Sequence, residues 1–371
     1  MDDALTRWCP EVGAPVDFAG LTAELDWVRR MKHTPQDPVH HAEGDVWIHT
    51  SLVLDALVSL VAWQQLPPRA RQIVFAAALL HDVAKPWTTR VAEDGRVTAR
   101  GHSAAGALAA RRILWSLGVD PVAREQVCAL VTRHQLPFFA VEDPNGERRA
   151  VLASLEAPNR WLALVNEADG LGRTCADPQR LADNVALYRA MCEELACLDA
   201  PYAFANPTAR FRFARRKGTR HDVPPEVSRC EVVVMCGLPG AGKDTWIRDH
   251  RAGWPVVSLD VLRAELGVDP RDNQGPVAAA ARERARVHLR AGRSFVWNAT
   301  NVSRQHRDRV IRLATDYRAR THLVHVEAPA ERLYAQNADR ADAVPTKVID
   351  ALLRRWQPPS PAEAHALTWV R

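Results

Sequence analysis

The stretch Gly237-Leu238-Pro239-Gly240-Ala241-Gly242-Lys243 constrains what this chain can fold into more than any other. It follows the apolar run Val232 to Cys236 and precedes Thr245-Trp246-Ile247, so a glycine-rich turn falls between a strand and the start of a helix. Glycines let backbone N–H groups close around phosphate oxygens with no β-carbon in the way, and the helix N-terminus adds the positive end of its dipole. Lys243 supplies a point charge for the outer phosphates. Gly237, Pro239, Gly240, Ala241, Gly242, Lys243, Asp244 and Thr245 are therefore the expected nucleotide loop, with ATP or another nucleoside triphosphate as cofactor and Mg²⁺ beside it. One position departs from the common pattern: Asp244 stands where a Ser or Thr usually ligates magnesium. A carboxylate can also approach Mg²⁺, directly or through water, and Thr245 can bond a phosphate oxygen.

The surrounding half fits this loop. Short β-rich runs at Val232 to Cys236, Val256 to Leu259, Phe295 to Trp297 and His322 to Val326 alternate with helical stretches, the pattern of a parallel sheet covered by helices. Asp260 falls at a strand's C-terminal end, the edge where ligands sit in open α/β sheets. There it can orient an acceptor hydroxyl and take its proton, or merely cap a helix. Arg263, three residues on, lies on the same side and can hold a flanking phosphate. Asn298 to Asn301 ends the third strand in polar residues, as an active edge or a plain turn, and the arginines from Arg332 to Arg340 suit a lid over the transferring phosphoryl group.

The first half reads differently. Apolar positions recur at helical spacing in Leu52 to Val61, Ile73 to Leu80, Ala104 to Leu117, Val127 to Val131 and Trp161 to Val165, broken at Pro67-Pro68, Asp94-Gly95, Gly118 to Pro121 and Asp143 to Gly146. No alternating strand pattern interrupts them. At 371 residues the chain is long enough for two cores, and the expected division is 1–203, all helical, a connector over 204–230, and 231–371, α/β.

Within the helical half stand His49, the doublet His81-Asp82, His102, His134 and Asp169, each at a helix end or on one helix face. Imidazole nitrogens and carboxylate oxygens suit divalent transition metals, and such an ion turns bound water into a nucleophile near neutral pH. His49, His81, Asp82 and Asp169 are the expected ligands of one ion; His102 and His134 hold a second or grip phosphate. Lys85 lies four residues after His81 and Arg173 four after Asp169, which places both to neutralise a substrate phosphate.

Charge is unevenly spread. Lys plus Arg against Asp plus Glu runs 20 to 26 over 1–203, 7 to 2 over 204–230 and 22 to 16 over 231–371, so an anionic polymer would be gripped in the middle and the second half. The basic and aromatic stretch Arg210-Phe211-Arg212-Phe213 to Lys217 suits base stacking, or packing of its rings on a neighbour. Seven cysteines without a Cys-x-x-Cys pair read as buried thiols of a reducing compartment. With no leader pattern after Met1-Asp2-Asp3-Ala4 and no apolar run of membrane-spanning length, a cytoplasmic protein without membrane contact is expected.

Two resemblances sharpen these readings. Gly237 to Thr245, Ser258-x-Asp260-x-x-Arg263, Asn298-Ala299-Thr300-Asn301 with Arg304, and the Gln336 to Arg340 stretch resemble the kinase domain of 5'-hydroxyl polynucleotide kinases. That likeness implies Lys243 and Arg340 on the γ phosphate, Asp260 as general base, and Arg263, Asn301 and Arg304 toward the acceptor. The ordered His, His-Asp and Asp set resembles the HD phosphohydrolase superfamily, with His41 expected to line its pocket. Together the halves resemble bifunctional bacterial end-healing enzymes, which implies phosphorylation of 5'-hydroxyl ends of RNA or DNA, and removal of a 2'- or 3'-phosphate or opening of a 2',3'-cyclic phosphate. Both products suit a downstream ligase. The lid departs from that pattern at Asp342, where a second positive charge is expected. The rival reading keeps both folds and makes the chain a small-metabolite kinase joined to a nucleotide phosphohydrolase.

Overall fold

The computed structural model describes residues 3–340 and 343–371, so Asp342 lies outside the described residues. The chain divides into two compact units, Met1–Ala203 and Phe204–Arg371.

In the first unit the Asp45 carboxylate accepts hydrogen bonds from the N–H groups of Trp47 and Ile48 and starts the Val46–Ser59 helix. Pro68 opens the Pro68–Leu80 helix from the position where a missing N–H costs nothing. The His102–Ser116, Pro121–Arg133 and Asn159–Leu171 helices follow, and Val53, Leu54, Leu57, Val74, Leu80, Val127 and Leu164 are buried between them. Each such side chain contributes roughly 2 kcal/mol by leaving water. The all-helical expectation has one exception. β1 (Arg90–Val91) and β2 (Val97–Thr98) pair antiparallel around Asp94-Gly95, and strands of two residues leave no alternation to read.

The second unit is a five-stranded parallel sheet: β3 (Glu231–Cys236), β4 (Val256–Ser258), β5 (Phe295–Asn298), β6 (Arg320–Val326) and β7 (Ala366–Val370), in the order β4-β5-β3-β6-β7. β3 lies in the middle, with Val232, Val233, Val234 and Met235 fully buried, as expected of a strand covered on both faces. Its C-terminal end opens between β5 and β6, and the glycine loop sits there. β7 was not anticipated; its five half-buried residues carry no strong alternation, and pairing with His322 to Val326 decides its place.

The segment expected as a connector folds with this second unit. The Pro207–Ala214 helix sends Phe211 into the core of the sheet, where its ring stacks on His365 at 4.1 Å, and Arg215 pairs with Asp308 at 2.8 Å. Phe213 is buried as well. Burial of the two rings takes them out of reach of a base. Among the described residues no helix is long and apolar enough to cross a membrane.

Candidate phosphate-handling sites

The helices of the first unit bring six ligand-type side chains together. His49 lies in the first turn of Val46–Ser59, His81 and Asp82 just past Pro68–Leu80, His102 at the start of His102–Ser116, His134 just past Pro121–Arg133, and Asp169 in the last turn of Asn159–Leu171. All six are buried. Three of the helices present C-terminal ends, whose partial negative charge favours a cation.

Proton positions follow from the acceptors. The Nδ1 atoms of His81, His102 and His134 lie 2.6, 2.7 and 2.8 Å from the carbonyl oxygens of Ala78, Ala99 and Val131. A carbonyl can only accept, so Nδ1 carries the proton and a neutral ring presents a bare Nε2. His49 lies between two carboxylates, its Nδ1 2.8 Å from Glu43 Oε1 and its Nε2 3.2 Å from Asp169 Oδ1. Nevertheless His49 Nε2 and His81 Nε2 stand 3.4 Å apart, and His102 Nε2 and His134 Nε2 stand 3.2 Å apart. Lone pairs facing at these distances repel unless a proton or a cation lies between them.

Asp82 sits between the two imidazole pairs. Its Oδ2 is 3.2 Å from His81 Nε2 and 3.9 Å from His49 Nε2, while its Oδ1 is 3.4 Å from His102 Nε2 and 4.0 Å from His134 Nε2. Oδ1 is buried without a hydrogen-bond donor. Three close donor groups result among the described residues: His49 with His81 and Asp169, Asp82 with His102 and His134, and His41 with Glu43 and His49. They fit metal ions of the imidazole- and carboxylate-binding class. Electrostatics agree: burial alone would raise the carboxyls of Asp82 and Asp169, but the His81 ring and the Lys85 ammonium beside the first, and the Arg173 guanidinium beside the second, hold both well below the usual range. Burial pushes His134 down to about 3 and holds His102 below its ordinary value, keeping both as lone-pair donors.

Lys85 and Arg173 are not free for substrate in this state. Lys85 Nζ lies 2.7 Å from Asp82 Oδ2 and donates to Gln36 Oε1 at 2.6 Å; Arg173 donates through Nε and a terminal nitrogen to both oxygens of Asp169 at 2.8 Å. In a dry pocket the nearest anions are the ligand carboxylates, so the cations turn inward while still lining the cavity.

Glu43 was not singled out in the sequence. Its side chain is almost fully buried, and its Oε1 lies 2.9 Å from His41 Nδ1 as well as 2.8 Å from His49 Nδ1. Its Oε2 accepts the Thr174 N–H at 2.8 Å. It thereby fixes one ring of the ligand set and turns His41 toward the cavity, where burial holds His41 down at about 4. A single acidic residue in a loop gives no periodic signal that could have marked it. The cavity itself has a volume of about 660 Å³ and takes His41, His102, Lys85 and Arg173 into its wall.

In the second unit Gly237, Gly240 and Gly242 all have positive φ, at 146°, 81° and 101°. A Cβ on Gly237 would meet the Val326 carbonyl at 2.3 Å, so only glycine fits there. Pro239 and Ala241 are buried, whereas Asp244 and Thr245 are exposed in the first turn of the Lys243–His250 helix. Lys243 Nζ donates to the carbonyls of Gly237 and Leu238 at 3.1 and 2.9 Å. Its ammonium is pushed down to about 8, chiefly by burial; Arg340 adds to the push, while Asp244 and Asp260 oppose it. These charges therefore act on one site.

Asp260 is mostly exposed in the first turn of the Leu259–Glu265 helix, 2.5 Å from Arg263, whose Nε donates to Gln274 Oε1 at 2.9 Å. The cap of that helix is Ser258, which leaves the Asp260 carboxylate unused by backbone. Asn298 Nδ2 donates to Asp244 Oδ1 at 2.6 Å, tying the polar end of β5 to the departing position of the loop. Asn301 faces inward. At φ 44° its amide donates to the Met235 carbonyl at 2.8 Å, which leaves it a brace between strand ends rather than a group open to an acceptor. Arg304 is exposed at the start of the Arg304–Asp316 helix, and Arg340 is exposed after the Ala330–Ala338 helix.

Residues 46–166 match the family model described as an HD domain, and residues 232–359 match the model described as an AAA domain. The chain thus carries a mainly helical domain that matches the HD model, followed by an α/β domain with a five-stranded parallel sheet that matches the AAA model. A multifunctional CCA protein of Halorhodospira halophila (strain DSM 244 / SL1) is 39% identical over 116 residues, which is 31% of this chain and 24% of that protein. The chain thus matches about a quarter of the length of this curated relative. A candidate kinase of Chloroflexus aurantiacus j-10-fl, known from its crystal structure, is similar at 20% identity and a TM-score of 0.33, over 39% of this chain and 86% of that one.

Proposed function

We propose that this protein heals broken polynucleotide ends: the second unit phosphorylates a 5'-hydroxyl with ATP, and the first removes a 2'- or 3'-phosphate or opens a 2',3'-cyclic phosphate. What supports this reading is that one chain carries both the paired imidazoles around Asp82 and a glycine loop whose Lys243 feels the charge of Asp260. RNA and DNA ends are both candidates, and the products are those a ligase joins.

In the kinase unit the backbone N–H groups of Gly237 to Lys243 would cradle the triphosphate. Lys243 would leave its two carbonyls for the outer phosphates, with Arg340 closing from the lid. Asp260 would accept the hydroxyl proton while Arg263, already beside it, turns to the acceptor's own phosphate. Asp244, held by Asn298, would reach Mg²⁺ directly or through water.

In the HD unit His49, His81, Asp82 and Asp169 would hold one divalent ion, and Asp82, His102 and His134 a second. Such ions supply a bound water of lowered pKa and a counter-charge for phosphate oxygen. Lys85 and Arg173, freed from the carboxylates by that charge, would swing to the substrate phosphate from the cavity wall.

The kinase arm is tested by end-labelling a 5'-hydroxyl oligonucleotide with γ-labelled ATP. Label should transfer to the parent's substrate and be lost with Asp260→Ala; transfer only to small metabolites would favour the rival kinase. The phosphatase arm is tested on a 3'-phosphate end, where release should need a divalent metal and vanish in His81→Ala.

A further inference from the structure

The cavity at the ligand cluster is much larger than a phosphate, and its wall mixes cations with apolar side chains. About 660 Å³ is the size of site that encloses a nucleotide-sized ligand. Lys85, Arg173 and Arg100 line it together with Val39, Phe138, Phe139 and Leu181.

Two of these residues have no role in the ligand set. Phe139 ends the Leu136–Phe139 helix, five residues after His134, and is 52% exposed although its neighbour Phe138 is buried. That short helix is pinned. Asn184 Nδ2 donates to the Phe138 carbonyl at 2.7 Å, and the Arg173 guanidinium lies 5.1 Å from the Phe138 ring centroid. The Phe139 ring is therefore about half exposed at the cavity wall, an apolar surface set edge-on to the Phe138 ring. Arg100 precedes His102 by two residues, and the intervening turn is held by the 2.7 Å contact between the Ala99 carbonyl and His102 Nδ1. Arg100 is exposed, lines the cavity, and makes no ion pair or side-chain hydrogen bond among the described residues.

We propose that this mouth is a nucleotide subsite, in which Phe139 stacks the base of the phosphate-bearing terminal nucleotide and Arg100 pairs with the next phosphodiester of the strand. The inference rests on the phosphatase reading of the HD unit and specifies its substrate. The two residues hang from the segments that carry His134 and His102 and share the cavity wall with Lys85 and Arg173, so a phosphate held by those two cations leaves its nucleoside toward the mouth. Stacking on a single ring accepts any base, and a guanidinium accepts any diester, so the subsite selects a strand end without selecting its sequence.

The test measures phosphate release by the full chain, metal-loaded, from a 3'-phosphate oligonucleotide and from the same strand with an abasic terminal residue. The parent should lose roughly tenfold in kcat/KM on the abasic end, within the worth of one base-aromatic stack. Phe139→Ala should show that loss on the base-bearing end and no further loss on the abasic one, while Phe139→Tyr should behave as the parent. Arg100→Ala should raise KM for the oligonucleotide several-fold and leave a nucleoside 3'-phosphate, which has no second phosphate, unchanged. Equal abasic penalties in the parent and in Phe139→Ala overturn the stacking role, and an unchanged oligonucleotide KM in Arg100→Ala overturns the diester contact. A parent inactive on every 3'-phosphate end overturns the phosphatase reading itself. Melting curves matching the parent's show that the variants are folded.

Discussion

His49 Nε2 and His81 Nε2 face each other at 3.4 Å across a fully buried space, although each ring's Nδ1 already lies against an oxygen acceptor. Burial works against a proton on His49, yet Asp169 and Glu43 overcome it and raise its affinity for one. A pocket that draws a proton between two imidazoles is one that a divalent cation can fill better.

Divalent metal should therefore stabilise the first unit. At a free concentration about 100-fold above its dissociation constant, an ion bound only by the folded state adds about 2.7 kcal/mol. Thermal melting with and without Mn²⁺, Co²⁺ or Zn²⁺ should show this gain, and His81→Ala should abolish it. Identical melting of parent and variant under all three ions would show that the histidines are merely core residues.

Glu43→Gln should weaken metal binding by roughly 10- to 100-fold, the usual cost of losing an outer carboxylate behind a ligating histidine. Titration calorimetry on the full chain reads this directly. The amide keeps the size of the side chain, so the melting temperature without metal should change little. Parent-like affinity in the variant would leave Glu43 a loop brace for Thr174 and nothing more.

Lys243 gives a pH signature. Its folded pKa, lowered to about 8 from an ordinary 10.5, means that the folded chain binds fewer protons than the unfolded chain between those values. Stability contributed by this group therefore rises with pH across that window, and below about 8 the buried charge carries its full cost. Lys243→Met should raise the melting temperature of the second unit at pH 7, with the gain shrinking toward pH 10. Nucleotide binding near pH 9 should take up a proton as phosphate restores the charged ammonium, which calorimetry in buffers of different ionisation enthalpy will detect. A pH-independent effect of Lys243→Met would contradict the lowered value.

Gly237→Ala should cost at least about 1–3 kcal/mol, the usual range for a residue forced into a sparsely populated backbone region. The collision with the Val326 carbonyl at 2.3 Å adds to it, since backbone must move. Urea denaturation measures the loss, and nucleotide affinity should fall with it. A variant as stable as the parent that still binds ATP would show that the loop does not need its positive φ.

Much of this protein was legible in the order of its residues. Strand, glycine turn and helix are local, so hydropathy and glycine spacing place the loop before any contact is known; Lys243, Asp244 and Thr245 sit where that reading puts them. The helical half shows its apolar spacing just as locally, and its histidines and aspartates fall at or beside helix ends. Local pattern could not see β7, whose place depends on β6, or the docking of Phe211 on His365, which turns an apparent connector into core.

What the sequence alone determined was which chemical groups the chain carries and on which local elements they ride. Only the tertiary structure decided their relations: that Asp82 faces four imidazoles at once, that Glu43 backs His49, that Lys85 and Arg173 turn onto carboxylates, and that Asn298 holds Asp244. The physical reason is range. Propensity and periodicity act over a few residues, whereas ion pairs and lone-pair contacts act over a few ångströms between groups that the fold draws from distant parts of the chain.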